Sequence, residues 1–427
     1  MKKLLLTLVL AGMTMSMAAQ DKVVRKARYL KEEVQNLVAN NQRTPKEDAE
    51  LQAKLAQCMA MVDAAVNSPE TVKELANAWD IKASLHTYIF NPLLNNIIAH
   101  EPTDTAAFAA NVFAALDAYE ECYQAVQRLG LKGDKDPYTQ PNKLNVVRFR
   151  PYIAYCGQMF FGNHDYAKAK EAFLRWLDYP SRYTILGADA QQLTVDEQTP
   201  QIAYYACLAA YFDNKDFKTM AHYIPQAKAY EEEKQQVNQL WLTSLIEQGD
   251  TTAWLAAGQQ VVLEDPTAND ALAQNILAYY FNHEDVPSAT AFVDALLEAD
   301  EDSRLGNYAR GLVYMNNKEY LTAITYFDRA IAADPEFADA YYNAGVCYSN
   351  HGYDLNDALN GRNMTVKQRE AEIAKVRAEY AKAEPYFLKV QELEPGEVMK
   401  WATRLRTVYY ILDNKAKEAE MNAIVGD

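Results

Sequence analysis

Glycine and proline are scarce, with 15 of each in 427 residues. A β-rich fold needs frequent tight turns and the Gly, Pro and Asn-Gly signals that make them, so the shortage argues for helices. Cysteine is scarcer still. Its five copies, Cys58, Cys122, Cys156, Cys207 and Cys347, are odd in number and far apart. No C-x-x-C pair occurs, which excludes a zinc ribbon and a thioredoxin-type redox motif. Most of these thiols fall inside helical patterns, where a free Cys acts as a small apolar residue, although an oxidising compartment would permit a disulfide. Basic charge is also short: 42 Lys and Arg face 58 Asp and Glu, for a net charge of −16. Neither the basic footprint of a nucleic-acid binder nor a polybasic membrane patch is present. No apolar run reaches the roughly 20 residues needed to span a bilayer.

The motifs of catalysis are missing as well. The six histidines, His86, His100, His164, His222, His283 and His351, form no H-E-x-x-H. There is no P-loop, no G-x-G-x-x-G and no G-x-S-x-G. Asp134-Lys135-Asp136 lacks the remaining ligands of a calcium loop. Glu298, Asp300, Glu301 and Asp302 read as a solvated face. No catalytic residue, metal site or cofactor is therefore predicted, and the chain is not expected to be an enzyme.

The N-terminus predicts export. Met1-Lys2-Lys3 is a basic n-region, residues 4–13 are an apolar h-region, and Ser16-Met17-Ala18 offers the small residues of a cleavage site. A signal peptide over 1–18 would leave a mature chain starting near Ala19, and loss of Lys2 and Lys3 takes the charge from −16 to −18. The first cysteine is Cys58, so no lipid anchor is expected. The destination would be the periplasm, the outer membrane surface or the medium.

The strongest positive signal is an internal repeat. In a 34-residue frame begun at Arg304, Gly311 falls at position 8, Tyr314 at 11, Tyr320 at 17, Ala323 at 20, Phe327 at 24, Ala330 at 27 and Pro335 at 32. A frame at Ala338 repeats Gly345 at 8 and Tyr348 at 11, and one at Arg150 gives Gly157, Phe160, Tyr166, Ala169, Phe173 and Trp176 at 8, 11, 17, 20, 24 and 27. Weaker frames begin at Gln201, Gln235 and Asn269. Asn163, Asn214, Asn282 and Asn317 all stand at position 14, where Asn tolerates the left-handed turn between two helices. An acidic residue two places later then meets the N-terminal dipole of the second helix.

Two insertions interrupt the array, near 179–200 and 350–379. In the second, the first helix is expected to end near Ser349, followed by a loop and an extension of the second helix. Before residue 150 the pattern is helical but irregular. Thr44-Pro45-Lys46-Glu47 is a capping box, and Ser68-Pro69-Glu70 is a second helix start. Residues 22–40 and 45–66 read as a helical hairpin. Trp79 and Ala83 suggest a degenerate repeat, and 132–145 a loop. The organisation is thus 1–18 signal peptide, 19–149 N-terminal helical cap with degenerate repeats, and 150–427 repeat array.

These residues resemble the tetratricopeptide-repeat (TPR) family, over roughly 150–395, and the signal peptide makes the chain similar to exported TPR proteins of Gram-negative envelopes. The resemblance implies an all-α TPR-type solenoid, a right-handed superhelix of antiparallel helix pairs with a concave groove that takes a partner's peptide or helix. The groove-lining first-helix positions would be Leu305, Tyr308, Leu312, Met315 and Asn316 in one repeat and Tyr342, Val346 and Asn350 in the next. The Lys and Asn that clamp a carboxylate in chaperone-binding TPRs are replaced here by Tyr308 and Leu312, then Tyr342 and Val346. The expected function is a non-enzymatic protein-binding scaffold of the cell envelope. The alternative is glycan binding, on the likeness of TPR helices and 29 tyrosines to SusD-like proteins.

Overall fold

A computed structural model describes residues 17–40, 42–68, 73–193, 196–266 and 268–426. The expected signal peptide lies outside the described residues up to residue 16, and so does the Pro69-Glu70 helix start. Among the described residues there are α-helices, three short 3-10 segments and no strand. The chain divides into two compact units, Met1–Ser244 and Leu245–Asp427.

The first unit begins with α1 (Met17–Ala39) and α2 (Pro45–Val66), a packed pair. The capping box forms: Thr44 accepts from the Glu47 amide while Glu47 accepts from the Thr44 amide at 2.7 Å. Helices α3 (Leu75–Ile98) and α4 (Thr105–Leu129) make the next pair, and α1 packs beside α3. Helix α5 (Thr139–Gly162) pairs with α6 (Tyr166–Leu177). It begins inside the stretch expected to be a loop and runs through the expected boundary at 149 and 150. Asp136 starts it by accepting from the Tyr138 and Thr139 amides at 3.1 and 3.0 Å. Asn142 is buried against Cys122, so tertiary packing overrides a polar composition.

The first insertion folds into α7 (Tyr179–Arg182), a 3-10 segment over Thr184–Asp189 and α8 (Ala190–Leu193). Tyr179, Tyr183 and Leu186 are buried in the core of α4 to α6. Two arginines lock it. Arg150 stacks 3.8 Å above Trp176 and donates to Asp196 at 2.6 Å; Arg175 donates to Asp117 at 2.6 Å and to the Tyr183 hydroxyl at 2.9 Å. The pair α9 (Thr199–Phe212) and α10 (Phe217–Ala227) then packs on α6, followed by α11 (Lys234–Glu247), within which the chain divides.

The second unit continues with α12 (Thr251–Glu264), α13 (Asp270–Asn282) and α14 (Val286–Ala299), then the pair α15 (Arg304–Asn316) and α16 (Tyr320–Ala333). The pairs α17 (Ala338–Asp357) with α18 (Val366–Leu393), and α19 (Val398–Ile411) with α20 (Lys415–Val425), complete it. First helices of successive pairs lie side by side: α13 meets α15, and α15 meets α17. That is solenoid stacking, in which each pair covers the apolar face of the next.

Each clear pair crosses at a glycine facing an aromatic ring. A Cβ on Gly157, Gly311 or Gly345 would lie 2.4, 2.6 or 2.8 Å from the ring of Phe173, Phe327 or Phe387. Positions 8 and 24 are thus in contact, as the frame requires. The same device corrects the second insertion. Helix α17 does not end near Ser349 but runs to Asp357, because Gly352, seven residues beyond Gly345, meets Tyr380, seven residues before Phe387. Both helices of this pair are lengthened, and the loop shrinks to the residues between Asp357 and Thr365, where a second capping box with Gln368 opens α18.

The turns differ from expectation in one respect. The left-handed residue is mostly not the asparagine: His164, Glu284 and Lys318 carry φ of 60°, 56° and 62°, and Asn214 shares the conformation with Lys215. Asn163 and Asn317 instead end their helices. Asp165 and Asp216 do cap the second helices, accepting from Lys168 and Thr219 amides, while after Asn282 the cap moves one place on to Asp285. A terminal cap fixes where a second helix begins, so the turn adjusts around it.

Candidate functional site

The eight predicted groove residues divide into three sets. Leu305 is buried in the core of α12 to α15 and is not available. Tyr308 and Tyr342 tie one first helix to the next. The Tyr308 ring packs 4.7 Å from Phe337 and 5.7 Å from Phe327, and its hydroxyl accepts from Asn343 at 2.9 Å. Burial holds this phenol well above the ordinary value. The Tyr342 hydroxyl accepts from Arg404 Nη2 at 2.9 Å, and Arg404 and Lys400 stand 5.5 and 5.7 Å from its ring. The remaining five stay nearer the surface. Leu312 and Met315 are half-buried beside the α15–α17 core, Val346 is half-buried beside the α17–α19 core, Asn350 is half-buried and Asn316 is exposed.

The first unit holds a hollow that the sequence analysis missed. Its volume is about 200 Å³, and it lies between first helices α3 and α5 with Tyr119 of α4 lining it from below. Thr87, Tyr88 and Asn91 come from α3, and Arg148 and Tyr152 from α5. The Tyr119 hydroxyl accepts from Asn145 at 3.1 Å and lies 3.3 Å from the Thr87 hydroxyl. Burial pushes the Tyr119 phenol up to about 12 and that of Tyr88 upward too, so both are hydrogen-bond donors at neutral pH. A frame begun at residue 76, which the Trp79 and Ala83 pattern already implied, puts Thr87 and Tyr88 at groove positions 12 and 13. Arg148 and Tyr152 were missed because the frame begun at Arg150 cuts across α5, which starts at Thr139, so their place beside α3 was not read.

A second hollow of about 520 Å³ lies below α15 and α17, rimmed by Asp334, Glu336, Asp339, Glu392 and Glu394. Most of its acidic charge is met within the fold: Lys400 bridges Asp339 and Glu394 at 2.6 and 2.7 Å, Lys389 pairs with Glu392 at 2.6 Å and Arg304 lies 3.8 Å from Asp334. All five cysteines are buried and unpaired, and burial raises every thiol, that of Cys58 to about 11 and those of Cys156, Cys207 and Cys347 to about 12. The turn histidines make local contacts, His164 with the Tyr166 hydroxyl at 2.9 Å and His283 with the Tyr279 carbonyl at 2.8 Å. Among the described residues no three His, Cys, Asp or Glu side chains are placed to hold a metal ion. No helix of the described residues is long and apolar enough to cross a membrane.

With this geometry in place, one known family matches part of the chain. A family model described as tetratricopeptide repeat matches residues 326–368, from α16 through α17. Over these residues the chain resembles a tetratricopeptide repeat. Several solved structures are similar to the chain. The C-terminal part of a TPR repeat-containing protein from Cytophaga hutchinsonii is 19% identical, covers 63% of this chain and 92% of its own, and has a TM-score of 0.39. The TPR domain of P58(IPK) is 12% identical over 91% and 99%, with a TM-score of 0.24. Human IFIT1, solved as a dimer with PPP-AAAA, is 14% identical over 94% and 93%, with a TM-score of 0.22. No curated protein matches the chain.

Proposed function

We propose that this TPR protein is a non-enzymatic scaffold of the bacterial cell envelope, which holds a partner's peptide or helix on the first-helix faces of its repeats. The observation that carries the reading is the division of labour on α15 and α17. Tyr308 and Tyr342 are consumed in joining successive first helices, while Leu312, Met315, Asn316, Val346 and Asn350 of the same two helices keep part of their surface open, three apolar side chains beside two amides. Apolar anchors with a polar rim are what a helix or extended segment needs for capture. TPR repeats in general bind protein partners, and the repeats here place their tight packing in the helix-pair cores. Export rests on the basic, apolar and small-residue succession of residues 1–18.

The test is crosslinking and pull-down from the envelope fraction of intact cells with the native chain and a Met315→Ser, Asn350→Ala double variant. Both sites are at least partly exposed, so the variant is expected to melt as the native chain does. It is expected to capture its partner at least about tenfold less well, the loss typical of removing an interface anchor. Capture of the same partners in the same amounts would place binding elsewhere, and a chain confined to the cytoplasm would end the envelope reading.

A further inference from the structure

We propose that the hollow between α3 and α5 is a second binding site, one that takes a single carboxylate carried on a small group rich in hydrogen-bonding atoms. It goes beyond the scaffold reading, since it lies on other repeats and needs none of the α15–α17 surface.

The case begins with Arg148. Its neighbours in sequence on α5 are already engaged: Lys143 pairs with Asp189 at 2.7 Å and Arg150 with Asp196 at 2.6 Å, both in the first insertion. Arg148 stands between them in sequence and lines the hollow; it is exposed and makes no ion pair or hydrogen bond among the described residues. The Tyr88 and Tyr152 hydroxyls and the Asn91 amide, which line the same space, are also without a hydrogen-bond partner there. Four residues with unengaged polar heads therefore line one concavity. Its base is held in place by the bonds among Thr87, Tyr119 and Asn145, and Tyr152 is stacked on Phe149 at 5.8 Å.

Charge and size select the ligand. The lining holds one cation and no carboxylate, so it balances one negative charge and would leave part of a dianionic phosphate unpaired in a partly desolvated site. The guanidinium fork matches a carboxylate with two parallel hydrogen bonds. About 200 Å³ is below the roughly 300 Å³ floor of an ordinary ligand pocket, which fits one acidic side chain or one sugar ring. The phenols and amides supply donors and acceptors for hydroxyl or amide groups beside the acid, and the Phe149–Tyr152 wall supplies an apolar face.

The test is calorimetric titration of the full chain with N-acetylglutamate α-methylamide and galacturonate, which carry one carboxylate each, paired with their neutral counterparts, N-acetylglutamine α-methylamide and galactose. At least one acid is expected to bind, its neutral counterpart about tenfold or more weakly, because the interaction lost is a charge-assisted hydrogen bond. Arg148→Gln is expected to abolish the preference for the acid, Arg148→Lys to restore part of it, and Tyr152→Phe to weaken binding while leaving the ring in place. Preference for N-acetylglutamate α-methylamide assigns the site to an acidic side chain of a partner, and preference for galacturonate to a free acid sugar; both support the shared chemistry. Binding by neither acid, equal binding of acid and neutral probe, or an Arg148→Gln variant that titrates like the native chain overturns it. Partner capture through Met315 and Asn350 is expected to survive Arg148→Gln, which separates failure of this site from failure of the scaffold reading.

Discussion

The smallest residue sets the closest approach in each clear repeat. At Gly311 the Phe327 ring already occupies the space a Cβ would need, at 2.6 Å. The ring is itself fully buried and has nowhere to retreat in a close-packed core. Gly311→Leu is therefore expected to overpack the crossing and cost about 1–3 kcal/mol or more. Thermal unfolding checks this: Gly311→Leu should lower Tm markedly, while Asn350→Ala, on the groove edge, should leave it nearly unchanged. Equal shifts from the two would contradict the assigned register. Tyr308 and Tyr342 give the opposite lesson. They occupy groove positions by sequence, yet their hydroxyls are spent on Asn343 and Arg404.

At the scale of the helix, the repeats are organised by their starts. Asp216 caps α10 by accepting from Thr219 through both backbone and side chain, at 3.1 and 2.8 Å, and also holds Lys170 at 2.9 Å. Burial works against its charge, but the bonds from Lys170 and Thr219 outweigh it and hold the carboxyl below the ordinary value of 3.8. Because the folded-state pKa is depressed, the stabilisation is fully present above 3.8 and is lost as pH falls through the lower folded value. Asp216→Ala is expected to cost about 1 kcal/mol at neutral pH. Asp216→Asn should keep most of the cap, since Asn also caps well, but its stability should fall less on acidification than that of the native chain. Urea unfolding across the acid range measures both effects. Identical acid profiles for the native and Asn chains would remove Asp216 from the account.

For the molecule as a whole, tyrosine is the titrating reporter. Burial pushes the phenols of Tyr119 and Tyr138 up to about 12, and raises those of Tyr179, Tyr183, Tyr223, Tyr308 and Tyr386 as well. A raised folded-state pKa means the stabilisation is complete below the ordinary value of 10.0 and is lost as pH rises above it, because the unfolded chain ionises first. Alkaline titration followed by tyrosinate absorbance and helical circular dichroism is expected to show an early non-cooperative group of exposed phenols. A second group should ionise only together with loss of helix. Full ionisation near the ordinary value with helix intact would mean that these rings are not buried as described.

Helicity, the 34-residue period, the glycine-to-phenylalanine crossings at Gly157 and Gly311 and the capping box at Thr44 were all legible in the sequence, because each depends on contacts between residues a short, fixed distance apart. Periodicity encodes such local geometry directly. The sequence also showed that a second insertion exists, but not that it continues both helices, since that required Gly352 to find Tyr380 across the pair. What only the tertiary structure decided is which polar groups are spent and which are left. Tyr308 and Tyr342 are consumed by residues of the next repeat, Arg150 and Lys143 by the first insertion, and Arg148 by nothing among the described residues. Those outcomes depend on side chains between 35 and 62 residues apart meeting in space, and no periodic pattern carries that information.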